Sequence, residues 1–264
     1  MEEAESGEKW EWQALGRKAL RNVIDFIVPP KCLTCHAGVL DPASLCLACW
    51  EKLSHIAAPV CNVMGTPFTY DQGAGAISAA ALADPPAWDR ARAAVVYDAA
   101  SRGLVHALKY RDTMEAGLFM ARMMGRAGSE ILGEADIILP VPLHRFRLWG
   151  RRFNQAAVLS RYIAKGFDKP LRTDVLLRKT STPSQVGLKH DERRKNVAKA
   201  FDVAADGIAH IRGLRVLLVD DVMTTGATAG SCAATLKKAG ASRVDVLTFA
   251  LVIEPKRPHI DQRK

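Results

Sequence analysis

Residues Val216 to Thr228 read VLLVDDVMTTGAT, and their types in that order suggest a chemistry. An apolar run ends in two adjacent carboxylates, Asp220 and Asp221. A short loop of small hydroxyl residues with one glycine follows, and Ala229 to Ala239 then reads as a helix. That succession suits a phosphorylated sugar. Loop N–H groups and the positive end of the helix dipole hold a phosphate, while ionised carboxylates accept hydrogen bonds from sugar hydroxyls. The plain alternative is a tight turn with aspartates at a strand end.

A second set of residues could hold a metal. Five of the six cysteines fall between Cys32 and Cys61. The pairs Cys32-x2-Cys35 and Cys46-x2-Cys49 supply four thiolates, the closed tetrahedral set of structural Zn2+. A thioredoxin-like redox site predicts one such pair in a βαβ setting, not two in a loop-rich segment. A closed site leaves no open position for chemistry, so its role is folding stability or partner docking. His36 and His55 could replace a thiolate but read as surface residues. Cys61 lacks a clear mate, because Met64, three residues on, is a poor zinc ligand. Cys232, in the helix after the hydroxyl-rich loop, reads as a small core residue.

The elements that must position these groups follow from periodicity. Trp10 to Ile27 has a helical apolar face (Leu15, Ala19, Val23, Ile27) and ends at Pro29-Pro30. The Gly- and Ala-rich stretch from Gly73 to Pro86 reads as a connector. Beyond Trp88 the pattern alternates: strand Arg92–Tyr97, helix Leu104–Lys109, helix Met114–Leu132, strand Ile137–Val141, helix Asn154–Lys165. Strand Val216–Val219, the helix stopped by Gly240, and strand Val244–Val252 complete it. Alternation implies a mostly parallel sheet flanked by helices, and the four-residue apolar run fits a strand covered on both faces. The predicted organisation is an N-terminal helix (1–28), a zinc module (29–68), a linker (69–87), an α/β domain (88–254) and a polar tail (255–264). No internal repeat is evident.

Composition is that of a globular protein, 48% apolar and 25% charged. No apolar run is long enough for a membrane span, and no secretory leader is recognisable, so a cytoplasmic location is expected. The net charge of +9 is uneven: Pro140 to Ala200 holds 15 Lys/Arg against 4 Asp/Glu. Such a field suggests an anionic partner, a polyphosphate ligand or nucleic acid, unless it is only a solvated basic face.

LLVDDVMTTGAT resembles the phosphoribosyl-pyrophosphate (PRPP) signature of type I phosphoribosyltransferases. A cysteine module, then PVPLHRFRLWGRRFNQ, then SQVGLKHDERRKNVAKAF, then that signature, resembles the ComF (competence protein F) family from about Pro29 to Val252. The resemblance implies a type I phosphoribosyltransferase-like fold and Mg2+-dependent transfer of phosphoribosyl to an acceptor, with loss of pyrophosphate. It implies that Asp220 and Asp221 orient the ribose hydroxyls and their magnesium shell. Thr224, Thr225, Gly226, Ala227 and Thr228 would wrap the 5′-phosphate. Pro140 to Gln155 would be the pyrophosphate loop, with Arg151 facing the leaving group. Leu176 to Phe201 would be a closing hood carrying Gln185, Arg193 and Asn196, with Arg193 suited to a bidentate phosphate contact. Lys109 and Tyr110 match a family position near the ribose. The chain departs from the family where Arg152 replaces the glycine of Arg-Gly-Phe-Asn-Gln; the added cation could bind pyrophosphate or alter catalysis.

Two classes of function stay open. One is an enzyme, or a PRPP-binding relative, whose partner is PRPP or a related phosphorylated ribose. The other is a DNA-uptake or recombination accessory protein that binds single-stranded DNA or a competence or recombination protein, with the PRPP fold as scaffold. A homo-oligomer is compatible with either. LLVDD also opens phosphorelay receivers, but those place it near their N-terminus, and only 43 residues follow Asp221 here.

Overall fold

The computed structural model describes residues 29–110, 114–143, 153–179 and 200–253, with the side chains of Lys109 and Tyr110 outside that description. The chain divides into two units, Met1–Glu51 and Lys52–Lys264. In the first, a bridge between Lys31 and Gly38 closes a knuckle around Cys32, and a single helical turn, α1 (Leu47–Trp50), begins after Cys46. Among its described residues the buried apolar side chains are Cys32, Ala43 and Cys49. That is too little to hold a module by burial alone.

The second unit runs α2 (Ala79–Ala83), β1 (Arg90–Val96), α3 (Ala99–Tyr110), α4 (Met114–Ala127), α5 (Ser129–Glu134), β2 (Ile137–Pro140), α6 (Gln155–Phe167), β3 (Leu176–Arg178), β4 (Phe201–Val203), β5 (Arg215–Met223), α7 (Ala227–Lys238) and β6 (Arg243–Leu251). Four strands form one parallel sheet in the order β1-β6-β5-β2, and β3 pairs antiparallel with β4. The mostly parallel sheet expected from alternation is present. β5 and β6 are the inner strands, and from Val244 to Leu251 every residue is buried, as two covered faces require.

Side-chain alternation sorts the two faces. Val216 and Leu218 join Cys232, Ala233 and Leu236 of α7 in one core cluster. Leu217 and Val219 point the other way, where α4 and α6 pack on the strands and on each other. The chain therefore leaves β2 toward one face, through α6, and leaves β5 toward the other, through α7. Such a divergence opens a crevice beyond the carboxyl ends of the two strands.

Several local expectations change. The helix expected over Met114–Leu132 is interrupted at Gly128, whose backbone lies so close to β6 that a Cβ there would stand 2.6 Å from Leu247 Cδ1. Tertiary contact overrides a continuous helical pattern. The helix expected from Leu104 starts at Ala99, because Asp98 and Ser101 form a reciprocal cap: Asp98 Oδ1 accepts from the Ser101 N–H at 2.9 Å, and Ser101 Oγ accepts from the Asp98 N–H at 2.9 Å. The expected connector holds α2, capped by Ser78. The predicted helix over Trp10 to Ile27 lies outside the described residues. Among the described residues no helix is long and apolar enough to cross a membrane.

The amino ends of the strands are tied by charge. Arg90 bonds Asp245 at 2.8 Å, Glu134 at 3.1 Å and Glu130 at 3.0 Å, and Arg243 bonds Glu134 at 2.6 Å. Asp136 receives both the backbone N–H and the guanidinium of Arg215, which locks β2 to β5. Those bonds, the side-chain one foremost, hold the Asp136 carboxyl at about 2, below its ordinary 3.8. A carboxyl depressed on folding stabilises the native state above its unfolded pKa and loses that contribution as pH falls through the folded value. Stability should thus decline between about pH 4 and pH 2. Urea titrations should show a shallower decline for Asp136→Asn, and an unchanged slope would contradict this assignment.

Candidate functional site

β5 carries Asp220 and Asp221 within its last residues rather than just past its end. Both are half-buried, Asp220 in register with Thr248 of β6. Asp220 Oδ1 accepts the N–H of Asp221 at 2.8 Å, and Asp221 Oδ1 accepts the N–H of Val222 at 2.8 Å, so neighbouring peptides orient both carboxylates. Beneath them Cys232 is fully buried, as expected of a core thiol. Burial, then the Asp220 charge, pushes that thiol well up, which keeps it neutral.

The loop is short. Met223 ends the strand and Ala227 begins α7, leaving Thr224, Thr225 and Gly226 to reverse the chain. Gly226 adopts φ 75°, a left-handed conformation that side-chain-bearing residues resist. Its Cα also sits on an indole: a Cβ there would be 2.4 Å from Trp88 Cη2. Trp88 is buried and donates its Nε1–H to the Val63 carbonyl at 2.8 Å, so the ring is fixed. The first N–H groups of α7, from Ala227 and Thr228, lie at the mouth of this turn. The Ala227 N–H reaches Thr225 Oγ1 only at 3.5 Å.

The carboxyl end of β2 lies beside this turn. Val141 N–H bonds Val219 O at 2.9 Å, extending the pairing by one residue. Asn154 then closes the intervening stretch: its Nδ2 donates to Val141 O at 3.0 Å, while its Oδ1 accepts the Ala156 N–H at 3.1 Å and caps α6. The fold thus brings Asp220, Asp221, Thr224, Thr225, Gly226, Ala227 and Thr228 together at one crevice beside the ends of the 142–153 stretch. Arg151, Arg152, Gln185, Arg193 and Asn196 lie outside the described residues, as does the Lys109 side chain. Trp88 and Asn154 are positioning residues that sequence reasoning passed over. An asparagine just before a helical period is a cap signal, but no local signal marks a tryptophan that contacts a turn 138 positions away.

Separately, in the first unit, the Sγ atoms of Cys32, Cys35, Cys46 and Cys49 lie within 4.8 Å of one another, Cys35 and Cys46 at 3.6 Å. A tetrahedron with Zn–S of about 2.3 Å needs sulfurs roughly 3.8 Å apart, so the cluster fits structural zinc. Burial opposes charge on Cys32, but backbone N–H groups of Cys35, Cys46 and Thr34 and the Cys35 thiol bring it down to about 6. Burial, then hydrogen bonds with the other three cysteines, pushes Cys49 up to about 12. His36 and His55 are not in the cluster.

The contact between Trp88 and Gly226 makes a prediction. Gly226→Ala should lower unfolding free energy by about 2–4 kcal/mol, from the left-handed backbone plus overpacking. If the indole supplies part of this, Trp88→Leu/Gly226→Ala should cost at least about 1 kcal/mol less than the sum of the single variants. Strict additivity in urea melts would remove the indole as the constraint.

Comparisons with known proteins found one matching family, sequence relatives and similar solved structures. A family described as the double zinc ribbon domain matches residues 23–80. The chain is 29% identical to competence protein F of Haemophilus influenzae over 227 residues, 83% of this chain and 96% of that protein. It is 28% identical to the DNA utilization protein YhgH of Salmonella typhimurium over 221 residues, covering 81% and 87%. Among solved structures it is similar to an orotate phosphoribosyltransferase from Aeropyrum pernix (18% identity, TM-score 0.31, 60% of this chain and 80% of that one). It is also similar to a glutamine PRPP amidotransferase from B. subtilis (20% identity, TM-score 0.34), of which it spans only 25%. Over 83% of its length, then, the chain is a homologue of competence protein F at 29% identity, and in this chain a zinc ribbon precedes a parallel sheet flanked by helices.

Proposed function

We propose that the larger unit binds PRPP and works as a phosphoribosyltransferase, with an acceptor still to be identified. The observation that carries this reading is the pair of oriented carboxylates immediately before a three-residue turn whose glycine is seated on Trp88. That turn opens α7 beyond the carboxyl ends of β2 and β5, where the chain leaves the two paired strands toward opposite faces. A phosphorylated pentose needs both halves, acceptors for its hydroxyls and N–H donors for its phosphate.

In phosphoribosyl transfer the bond from C1 to pyrophosphate breaks, positive charge grows on the ribose ring, and a nucleophile bonds to C1. Asp220 and Asp221 hold the ribose hydroxyls. The N–H groups and hydroxyls of Thr224, Thr225, Gly226, Ala227 and Thr228 take the 5′-phosphate, aided by the α7 dipole. Arg151 and Arg193 receive the departing pyrophosphate, and Lys109 contributes charge near the ribose. Magnesium, when bound, neutralises the pyrophosphate; Asp220 and Asp221 are the residues that would hold its water shell, being the hard oxygen donors it takes.

Calorimetric titration of PRPP, with and without Mg2+, tests this directly. The native chain should bind with Mg2+, and Asp220→Asn/Asp221→Asn should lose at least tenfold in affinity, about 1.4 kcal/mol. Equal binding by both proteins, or none by either, would count against the reading.

A second role rests on a different observation. The relatives are named for competence and DNA utilization, and residues 140–200 carry 15 Lys/Arg against 4 Asp/Glu. If this basic stretch of sequence takes single-stranded DNA, affinity falls steeply with salt, and Arg151→Ala/Arg152→Ala makes the log–log slope shallower. A flat salt response would end it.

A further inference from the structure

The segment after the first unit repeats the zinc knuckle bond for bond. In the first unit Lys31 bridges Gly38, Cys32 N–H bonds Ala37 O at 2.7 Å, His36 N–H bonds Cys32 O at 3.0 Å, and Val39 N–H bonds Pro30 O at 3.0 Å. In the second, Val60 bridges Pro67, Cys61 N–H bonds Thr66 O at 2.8 Å, Gly65 N–H bonds Cys61 O at 2.8 Å, and Phe68 N–H bonds Pro59 O at 2.9 Å. Every pair keeps one constant offset (Pro30 to Pro59, Lys31 to Val60, Cys32 to Cys61). Each knuckle turns on one residue with positive φ, His36 at 62° and Gly65 at 69°. The outgoing arms match as well. Leu33 N–H bonds Ser44 O, Asn62 N–H bonds Ala76 O, and a short helix follows each arm, begun by Cys46 in one case and Ser78 in the other.

The correspondence aligns the four ligand positions. Cys32 matches Cys61, Cys35 matches Met64, Cys46 matches Ser78, and buried Cys49 matches buried Ala81. A thioether, a neutral hydroxyl and a methyl cannot complete a structural zinc site with a single thiolate. Each replacement has acquired another use. Ser78 Oγ caps α2 by accepting from the Ala81 N–H at 3.4 Å, Met64 packs against the core, and Ala81 is 3% exposed. Cys61 Sγ accepts the N–H groups of Met64 at 3.4 Å and Ser78 at 3.2 Å, two links that hold the knuckle to its outgoing arm.

The sheet supplies the remaining support. Arg92 of β1 donates to Asn62 O at 3.0 Å and to Asn62 Oδ1 at 2.9 Å. Gly65 lies so close to β1 that a Cβ would stand 2.7 Å from Ala91 O. The Val63 carbonyl holds the Trp88 indole that seats Gly226. We infer that residues 59–83 are a second ribbon in which hydrogen bonds to Cys61 and packing on β1 replace the metal, so that the double ribbon carries one structural zinc and its metal-free half braces the crevice loop. No internal repeat is legible in the sequence because three of the four ligand positions have changed; the backbone preserves it.

Metal content decides the matter. Plasma mass spectrometry on the full chain should find one zinc per chain, none after Cys46→Ser, and still one after Cys61→Ser. Two zinc ions in the native chain, or loss of zinc in the Cys61→Ser variant, would overturn the inference. Met64→Cys/Ser78→Cys/Ala81→Cys should raise the content to two; a folded triple variant that still holds one would refute the alignment of ligand positions. Should that variant not fold, cobalt titration of the native chain gives the same decision. Saturation of the thiolate charge-transfer band at one equivalent supports one site, and at two equivalents refutes it.

Discussion

Any side chain at position 226 would have to displace the Trp88 indole, which occupies the space that a Cβ would need, and would strain a left-handed backbone. That constraint fixes where the chain turns between β5 and α7. It therefore fixes how far the first N–H groups of α7 stand from the carboxylates at the end of β5. Trp88 is itself held by the Val63 carbonyl of the second knuckle, and that knuckle by Arg92 of β1. A line of contacts thus runs from the edge strand of the sheet, through a former metal module, to the mouth of the crevice. The opposite end of the sheet is tied differently, by the ionic bonds among Arg90, Arg243, Asp245 and Glu134. At the site end, neighbouring peptide N–H groups orient the two carboxylates.

The two ribbons show alternative ways to stabilise the same backbone. The described residues of the first module bury only three apolar side chains, and four thiolates closing on a cation supply the cross-link that so small a core does not. Once the same knuckle is laid on a sheet, strand backbone and an arginine clamp take over that work and the ligands become dispensable. The positive φ survives at Gly65 because the turn needs it, whichever way the module is held.

Much of this was legible from residues. The Val216–Val219 run and the alternation around it gave the parallel sheet, since a strand covered on both faces tolerates no polar interruption. The two CxxC pairs gave the metal cluster, because thiolate spacing is dictated locally. The grouping of Asp220 to Thr228 followed from contiguity in sequence. What escaped was long-range. Gly128 breaks a continuous helical pattern because β6 approaches it, Trp88 meets Gly226 across the fold, and Asn154 bonds Val141 from 13 residues away. The Gly- and Ala-rich stretch read as a connector for a related reason: a helix of alanines with a serine cap has no apolar periodicity to reveal it.

The central claim is that the turn after β5 cradles a phosphorylated pentose. A crystal structure of the full chain grown with PRPP and Mg2+ tests it most directly. The account predicts the 5′-phosphate against the N–H groups of residues 225–228 and the ribose hydroxyls against Asp220 and Asp221. Density for the ligand elsewhere, or a crevice without it at saturating concentration, would contradict the account.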